Sequence, residues 1–349
     1  MKMSAHLPVI SVCIPTYNGK EHLADCINSI RSQTFTDFEA VLCDDHSSDG
    51  TLEFARQLAG GDRRFRFIAN PRRLGLVANW NNCVNQARGE WVKFVFQDDT
   101  IAPFCLETLL ATCLRYGKPF GFGERDFIFA EDSPEILRNS FIDHKRRLLN
   151  DYFEGSSISP ERAIRIAASD PTHNLVGEPT VTLIKKSVFR EVGGFDEALI
   201  QLCDAEFWSR AMIRYGAAFV PETLASFRVH SKAATALNHG ERAYRAAVLD
   251  PLVIWHRFAF GAKFKLMRDP KISGRSGLSL RVGCASLAGL AWRQAGRTPT
   301  AALSGSSGGG LAEWKAVKSH CAGLQVLAWL GVVINGCRRV RAKFSRKAL

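Results

Sequence analysis

The chain has 349 residues, more than one typical domain, and its 46% hydrophobic and 23% charged content is that of a folded protein with no compositional sign of disorder. Its formal net charge of +12 permits nucleic acid, an anionic membrane surface or an anionic substrate as partner. The ten cysteines form no CxxC pair and no zinc-ligand spacing, and those in SVCIP and AVLCD read as buried small hydrophobes of a reducing compartment.

The N-terminal run MKMSAHLPVISVCIP is too short in its apolar part for a signal peptide and breaks at Pro15, so a cytoplasmic location is expected. PVISVCI reads as a buried strand. HLADCINSI then places Leu23, Cys26, Ile27 and Ile30 on one helical face. FEAVLC is a second strand, followed by helix-start chemistry at Ser48, Asp49 and Thr51. FRFIA is a third strand, VANWNNCVNQA a helix, and WVKFVF a fourth strand that ends at Gln97, Asp98 and Asp99. Repeated strand–helix units predict an α/β domain with a mostly parallel sheet flanked by helices. In such sheets ligands bind beyond the carboxyl ends of the strands. That rule singles out Pro15 to Asn18, Asp44 to Ser48 and Gln97 to Thr100.

The middle of the chain, from about 117 to 179, is less regular and contains the basic stretch His144–Arg147. The strand-like TVTLIK follows, and later a helix in which Phe207, Trp208, Ala211, Met212 and Tyr215 keep helical spacing. Past about Asp250 the pattern is helical and basic. A Gly/Ser-rich break at 298–310 precedes a final helix. The expected division is a catalytic domain over 1–245 and a helical basic region over 246–349. The apolar run Cys321–Cys337 falls short of a bilayer span and is interrupted by Gln325 and Asn335. Leu324, Leu327, Ala328, Leu330 and Gly331 give it an apolar surface, and Arg338, Arg339, Arg341, Lys343, Arg346 and Lys347 follow it. This tail predicts peripheral attachment to an anionic membrane surface, the cytoplasmic face of an inner membrane, with packing on the rest of the protein as the competing reading.

Adjacent acids at a strand end are poorly explained by folding alone, because they repel and are weak strand formers. Asp98 and Asp99 would be explained by Mn²⁺ or Mg²⁺, which takes carboxylate oxygens and leaves positions for phosphates; an acidic loop before a helix is the plain alternative. Asp44-Asp45 before HSSDGT reads by itself as a turn and helix cap.

The ordered set SVCIPTYNG, CDDHSSDGT, FVFQDD, GGFDE and LCDAEFW resembles family 2 glycosyltransferases of the GT-A fold over roughly residues 8 to 240. GLVANWNNCVNQARGEWVKFVFQDD and GEPTVTLIKKSVFREVGGFDE are similar to bacterial members that build envelope polysaccharides. The resemblance implies that Pro15, Thr16 and Tyr17 cradle the nucleotide base and that Asp45 contacts it. It implies that Asp99 binds the metal, with Asp98 on the ribose or a metal-bound water, although Gln97-Asp98-Asp99 lacks the first acid of a strict DXD. Asp204 matches the catalytic base, with Glu206 as its rival, and His230 matches a late histidine that completes the metal or diphosphate site. Asn79, Trp80 and Asn81 are expected near the donor, Trp80 doubling as core. The implied reaction is inverting transfer of a sugar from a nucleotide-sugar donor to a hydroxyl of a glycan or lipid-linked acceptor, without nucleic acid. A sugar-phosphate nucleotidyltransferase is the alternative, with weak support from the one Gly and one Lys of PTYNGKEHL. A non-catalytic carbohydrate-binding protein would leave the acids unexplained.

Overall fold

The computed structural model describes residues 7–296 and 309–345, apart from 132, 134, 136, 137, 140 and 143–156. His144–Arg147, nearly all of the Gly/Ser-rich break, Arg346 and Lys347 therefore lie outside the described residues. Two compact units are present. The first takes in Met1–Ala163, Asn174–Glu197 and Phe207–Ala233; the second takes in Ile164–His173, Ala198–Glu206 and Ala234–Leu349.

The first unit is built on one sheet of nine strands. They are β1 (Ile10–Thr16), β2 (Phe38–Asp44), β3 (Phe65–Ala69), β4 (Trp91–Phe94), β5 (Thr100–Ile101), β6 (Phe120–Phe129), β7 (Ser157–Ile158), β8 (Thr182–Lys185) and β9 (Ala217–Val229). Their order is β3-β2-β1-β4-β8-β6-β9-β5, with β7 paired to β9. The half made of β3, β2, β1 and β4 is parallel, as the strand–helix alternation predicts. Beyond β4 the sheet is mixed: β8 is antiparallel to both β4 and β6, while β6 and β9 are parallel. Every residue of β1 and β2 is buried, which is why these strands read as continuous apolar runs rather than alternating ones.

Helices α1 (Leu23–Arg31), α2 (Thr51–Ala59), α3 (Leu76–Gln86) and α4 (Cys105–Arg115) follow strands in the first unit. In α1 the predicted face of Leu23, Cys26, Ile27 and Ile30 is wholly buried. Helix α2 begins at Thr51 after the left-handed Gly50, which offers no side-chain cap; the Thr51 N–H and hydroxyl donate to Asp49 Oδ1 in the turn that leads into it. Further along lie α5 (Pro160–Ser169), α6 (Lys186–Val192) and α7 (Cys203–Tyr215).

The second unit is helical: α8 (Ala234–Glu241), α9 (Asp250–Phe260), α10 (Pro270–Ser273), α11 (Gly277–Ala295), α12 (Gly310–His320) and α13 (Leu324–Ser345). The sequence boundary at 245/246 falls inside this unit, which begins at Ala234 and recruits two short segments from earlier in the chain. Contacts rather than chain order decide this. Asp250 accepts from the N–H groups of Ile200, Gln201 and Leu202, and Arg275 donates to the carbonyl of Ser169. The face expected of the last helix is also revised. Leu324, Ala328 and Gly331 are buried, whereas Leu330 is exposed. Gly331 sits where a Cβ would come within 1.7 Å of the Ala285 carbonyl oxygen, so only glycine permits this approach to α11.

Candidate functional site

Three polar segments stand at the carboxyl ends of β1, β2 and β4, where the crossover rule places a ligand. After β1 and β2 the backbone enters the left-handed region at Asn18 (φ 45°) and His46 (φ 63°), residue types that tolerate it better than most. Side chains hold that geometry: the Asn18 N–H donates to Ser47 Oγ at 2.9 Å, and the Ser48 N–H donates to Asn18 Oδ1 at 2.9 Å. Asp44 organises the turn, accepting from the hydroxyls of Thr16 and Ser47 and from the Ser47 N–H.

Pro15 and Thr16 are buried in β1, so of the predicted base cradle only Tyr17 reaches solvent. The Arg73 guanidinium lies 4.1 Å from the centre of the Tyr17 ring, a cation–π contact that makes a flat, positively charged wall. Asp45 is buried, and its carboxylate serves the loop that carries Arg73. Oδ1 accepts from Asn70 Nδ2 and the Leu74 N–H at 2.9 and 2.7 Å, and Oδ2 accepts from the Gly75 N–H at 2.8 Å. Asp45 thus braces the 70–75 loop, and the base contact expected of it would have to act through that loop.

After β4, Gln97 ties the first and third segments together. Its Oε1 accepts from the Tyr17 N–H at 2.8 Å and its amide donates to the Tyr17 carbonyl at 3.2 Å. Gly19 leaves room for it: a Cβ there would lie 2.0 Å from Gln97 Cδ and would displace the amide from Tyr17.

The two acids then part in environment. Asp99 is fully buried; Oδ2 accepts from the Thr180 hydroxyl at 2.5 Å and Oδ1 from the Arg228 N–H at 3.0 Å. Burial, followed by the neighbouring charge of Asp98, pushes the Asp99 carboxyl well above the usual carboxylate range. Asp98 is partly exposed, and its Oδ2 lies 3.0 Å from His230 Nε2. Arg228 donates from Nε to the Asp98 carbonyl and pairs with Asp25 at 2.8 Å. The His22 ring stands edge-on to His230, centroids 5.1 Å apart. Burial, then the Arg228 charge, holds His22 below the ordinary imidazole range. Asp98 therefore lies beside His230 with part of its surface open, whereas Asp99, the expected metal ligand, is engaged by the Thr180 hydroxyl and by the Arg228 N–H of β9. The resemblance placed the metal on Asp99 as the final acid of its motif; which of two adjacent acids points inward is not legible in the sequence.

Asp204 and Glu206 occupy the first turn of α7. Asp204 is partly exposed, with Oδ1 accepting from the Ala205 N–H at 2.7 Å, whereas Glu206 is only 2% exposed. The segment before them is set by Asp250 Oδ2, which accepts from three successive N–H groups at 2.6–3.0 Å. Arg245 Nε stands 3.4 Å from the other Asp250 oxygen. Burial pushes the Asp250 carboxyl above its ordinary range, against the lowering effect of those donors.

Asn79, Trp80 and Asn81, expected near the donor, brace the sheet instead. Asn79 donates to the Cys43 carbonyl, Trp80 stacks on Phe96 with centroids 4.8 Å apart, and Asn81 donates to the Phe195 carbonyl. Arg73, Arg228 and Asp250 were missed by sequence reading, because they stand in no local motif. Gln97 was included in the segment after β4, but without its role in fixing Tyr17. Among the described residues no three His, Cys, Asp or Glu side chains gather into a metal cage. A divalent cation here would draw on Asp98 and His230 and take its remaining ligands from phosphate and water. That suits Mg²⁺ or Mn²⁺, which dehydrate reluctantly and share their shell with substrate phosphates.

The family model described as "Glycosyl transferase family 2" matches residues 11–193. An uncharacterised protein of Mycobacterium tuberculosis is 35% identical over 65% of this chain and 68% of its own length. The GalNAc(5)-diNAcBac-PP-undecaprenol beta-1,3-glucosyltransferase of Campylobacter jejuni is 28% identical over 55% of this chain and 73% of its own. Among solved structures, TarS 1-349 of S. aureus in complex with UDP-GlcNAc superposes with a TM-score of 0.54 at 19% identity, covering 80% of this chain and 79% of that one. Mannosyltransferase PcManGT from Pyrobaculum calidifontis in complex with GDP-Man and Mn²⁺ gives 0.52 at 17% identity, covering 95% and 86%. At these identities the structural likeness speaks for the fold.

Proposed function

The chain belongs to glycosyltransferase family 2, and from that premise we propose that it transfers a sugar with inversion from a nucleotide-sugar donor to a hydroxyl of a lipid-linked glycan. The observation that carries the reading is the convergence of Tyr17, Arg73, Gln97, Asp98 and His230 at the carboxyl ends of β1 and β4 in the first unit. Tyr17 and Arg73 supply a flat wall for a base or ribose. Gln97 fixes the main chain of Tyr17 and so fixes that wall. Asp98 and His230 lie side by side at the end of β4, a pair that a cation bound to a diphosphate would share. A Mn²⁺ or Mg²⁺ ion held by Asp98 and His230 would neutralise charge on the departing nucleoside diphosphate. The family resemblance of LCDAEFW supports Asp204 as the acid that accepts the proton of the attacking hydroxyl, in a single displacement at C1 that inverts the anomeric centre. Its greater exposure favours Asp204 over Glu206 for that task. The Campylobacter relative, named for an undecaprenol-linked product, supports a lipid-linked acceptor.

The test is incubation with a panel of nucleotide sugars and undecaprenyl-diphosphate-linked acceptors, with and without Mn²⁺. The expected result is acceptor-dependent release of nucleoside diphosphate and a product of opposite anomeric configuration. Release of pyrophosphate from a nucleoside triphosphate, or a retained configuration, would overturn it.

A further inference from the structure

Helix α13 is apolar on two opposite faces, and only one of them is used inside the protein. On the inner face Leu324, Ala328, Gly331 and Asn335 recur at helical spacing and are buried. Gly331 meets Ala285 and Gly289 of α11, and Asn335 exchanges hydrogen bonds with the hydroxyl and carbonyl of Ser286. On the outer face Val326, Trp329, Leu330 and Val333, spaced i, i+3, i+4 and i+7, are 64%, 73%, 52% and 63% exposed. A stripe of this kind is unusual on a surface that meets only water.

The charge of the chain identifies what covers it. From Pro270 to Leu349 there are thirteen Lys and Arg and a single acid, Glu313. The whole chain has 46 basic and 34 acidic residues, so residues 1–269 carry 33 of each and the entire excess of +12 lies in the last eighty positions. Glu313 accepts from Arg242 Nη2 at 2.7 Å and is thereby engaged. Arg338, Arg339, Arg341 and Lys343 continue the same helix beyond the stripe. A second copy seated on this face would bring two such basic ends together, whereas anionic headgroups complement them. No single described helix is long and apolar enough to cross a bilayer; α12 and α13 reach that length and composition only as a pair bent by 116°. The exposed stripe beside a basic end is the pattern of a helix that lies along a surface.

We propose that the outer face of α13 docks on an anionic lipid bilayer, with Trp329 and its aliphatic neighbours in the headgroup–acyl boundary and the basic end against the headgroups. Vesicle binding does not depend on turnover, so the proposal stands or falls apart from the catalytic reading. The full-length protein is floated with vesicles of phosphatidylcholine containing about 30% phosphatidylglycerol, and with pure phosphatidylcholine. Binding is expected to the first and to be at least about tenfold weaker to the second, and to weaken with salt. The combined variant Val326→Ser, Trp329→Ser and Val333→Ser alters only exposed positions; it should keep the wild-type melting temperature and lose binding by at least about tenfold. A second variant, Arg338→Gln with Arg339→Gln and Arg341→Gln, leaves the stripe intact and should lose the preference for anionic vesicles. Failure of the full-length protein to float on anionic vesicles overturns the proposal, as does unchanged binding by the stripe variant. A protein that does not float but forms a dimer abolished by the stripe variant would assign the face to a second copy.

Discussion

At the scale of single residues, the two adjacent acids divide the labour by burial. Asp98→Asn removes a carboxylate that faces His230, so activity with Mn²⁺ should fall by about 10²-fold or more while the melting temperature changes little. Asp99→Ala instead strands the Thr180 hydroxyl and the Arg228 N–H, and should cost about 1–3 kcal/mol of stability by urea denaturation. A stable but inactive Asp99→Ala variant, with Asp98→Asn active, would restore the metal to Asp99. For Asp204→Asn, turnover is expected to fall by about 10²–10⁴-fold with donor affinity by calorimetry nearly unchanged. If Glu206→Gln is dead and Asp204→Asn is not, the base is the buried acid. Sequence order singled out the strand-end segments. It could not show which oxygens were already engaged, and that is what separates Asp45 and Asp99 from Tyr17 and Asp98.

At the scale of elements, β1, β2 and the α3–β4 turn are joined by the buried Glu39. Burial alone would raise its pKa, but hydrogen bonds from Ser11, Arg66 and the Arg88 N–H outweigh burial and hold it below 4.5. Folding therefore favours the ionised form. The stabilisation is present above the unfolded value and is lost as pH falls through the lower folded one. Glu39→Gln should be less stable than wild type by about 1–3 kcal/mol at pH 7, and the difference should shrink below about pH 4. Denaturation curves at the two pH values measure it; a difference independent of pH would mean the contact is steric. Strand and helix periodicity identified these elements because both faces of β1 and β2 are buried and α1 buries one stripe. The antiparallel insertion of β8 between β4 and β6 had no such signal, since a four-residue strand looks the same in either direction.

At the scale of the whole molecule, burial shields nearly all of the thiols. Nine of the ten cysteines are buried, and Cys337 on α13 is exposed. Burial pushes the Cys113 and Cys284 thiols up to about 12, further lowering their reactivity. A thiol reagent should label about one cysteine in the native protein and all ten in denaturant, and Cys337→Ser should abolish the native signal. Rapid native labelling of several thiols would show that one of the units opens.

The amino-acid sequence by itself determined the α/β architecture of the first unit, the polar strand ends after β1, β2 and β4, and the family, because these depend on local periodicity and on motif order along the chain. Tertiary structure decided what depends on which groups meet. It buried Asp99 and left Asp98 beside His230, turned Asp45 to the 70–75 loop, and set Gln97 against Tyr17. It also drew residues 198–206 into the C-terminal unit, where Asp250 accepts from their N–H groups. In α13, composition showed an apolar helix, but only packing against α11 chose which apolar face is buried and which is left exposed. A helix with two apolar faces has no preference of its own; the glycine that lets α11 approach at Gly331 supplies one.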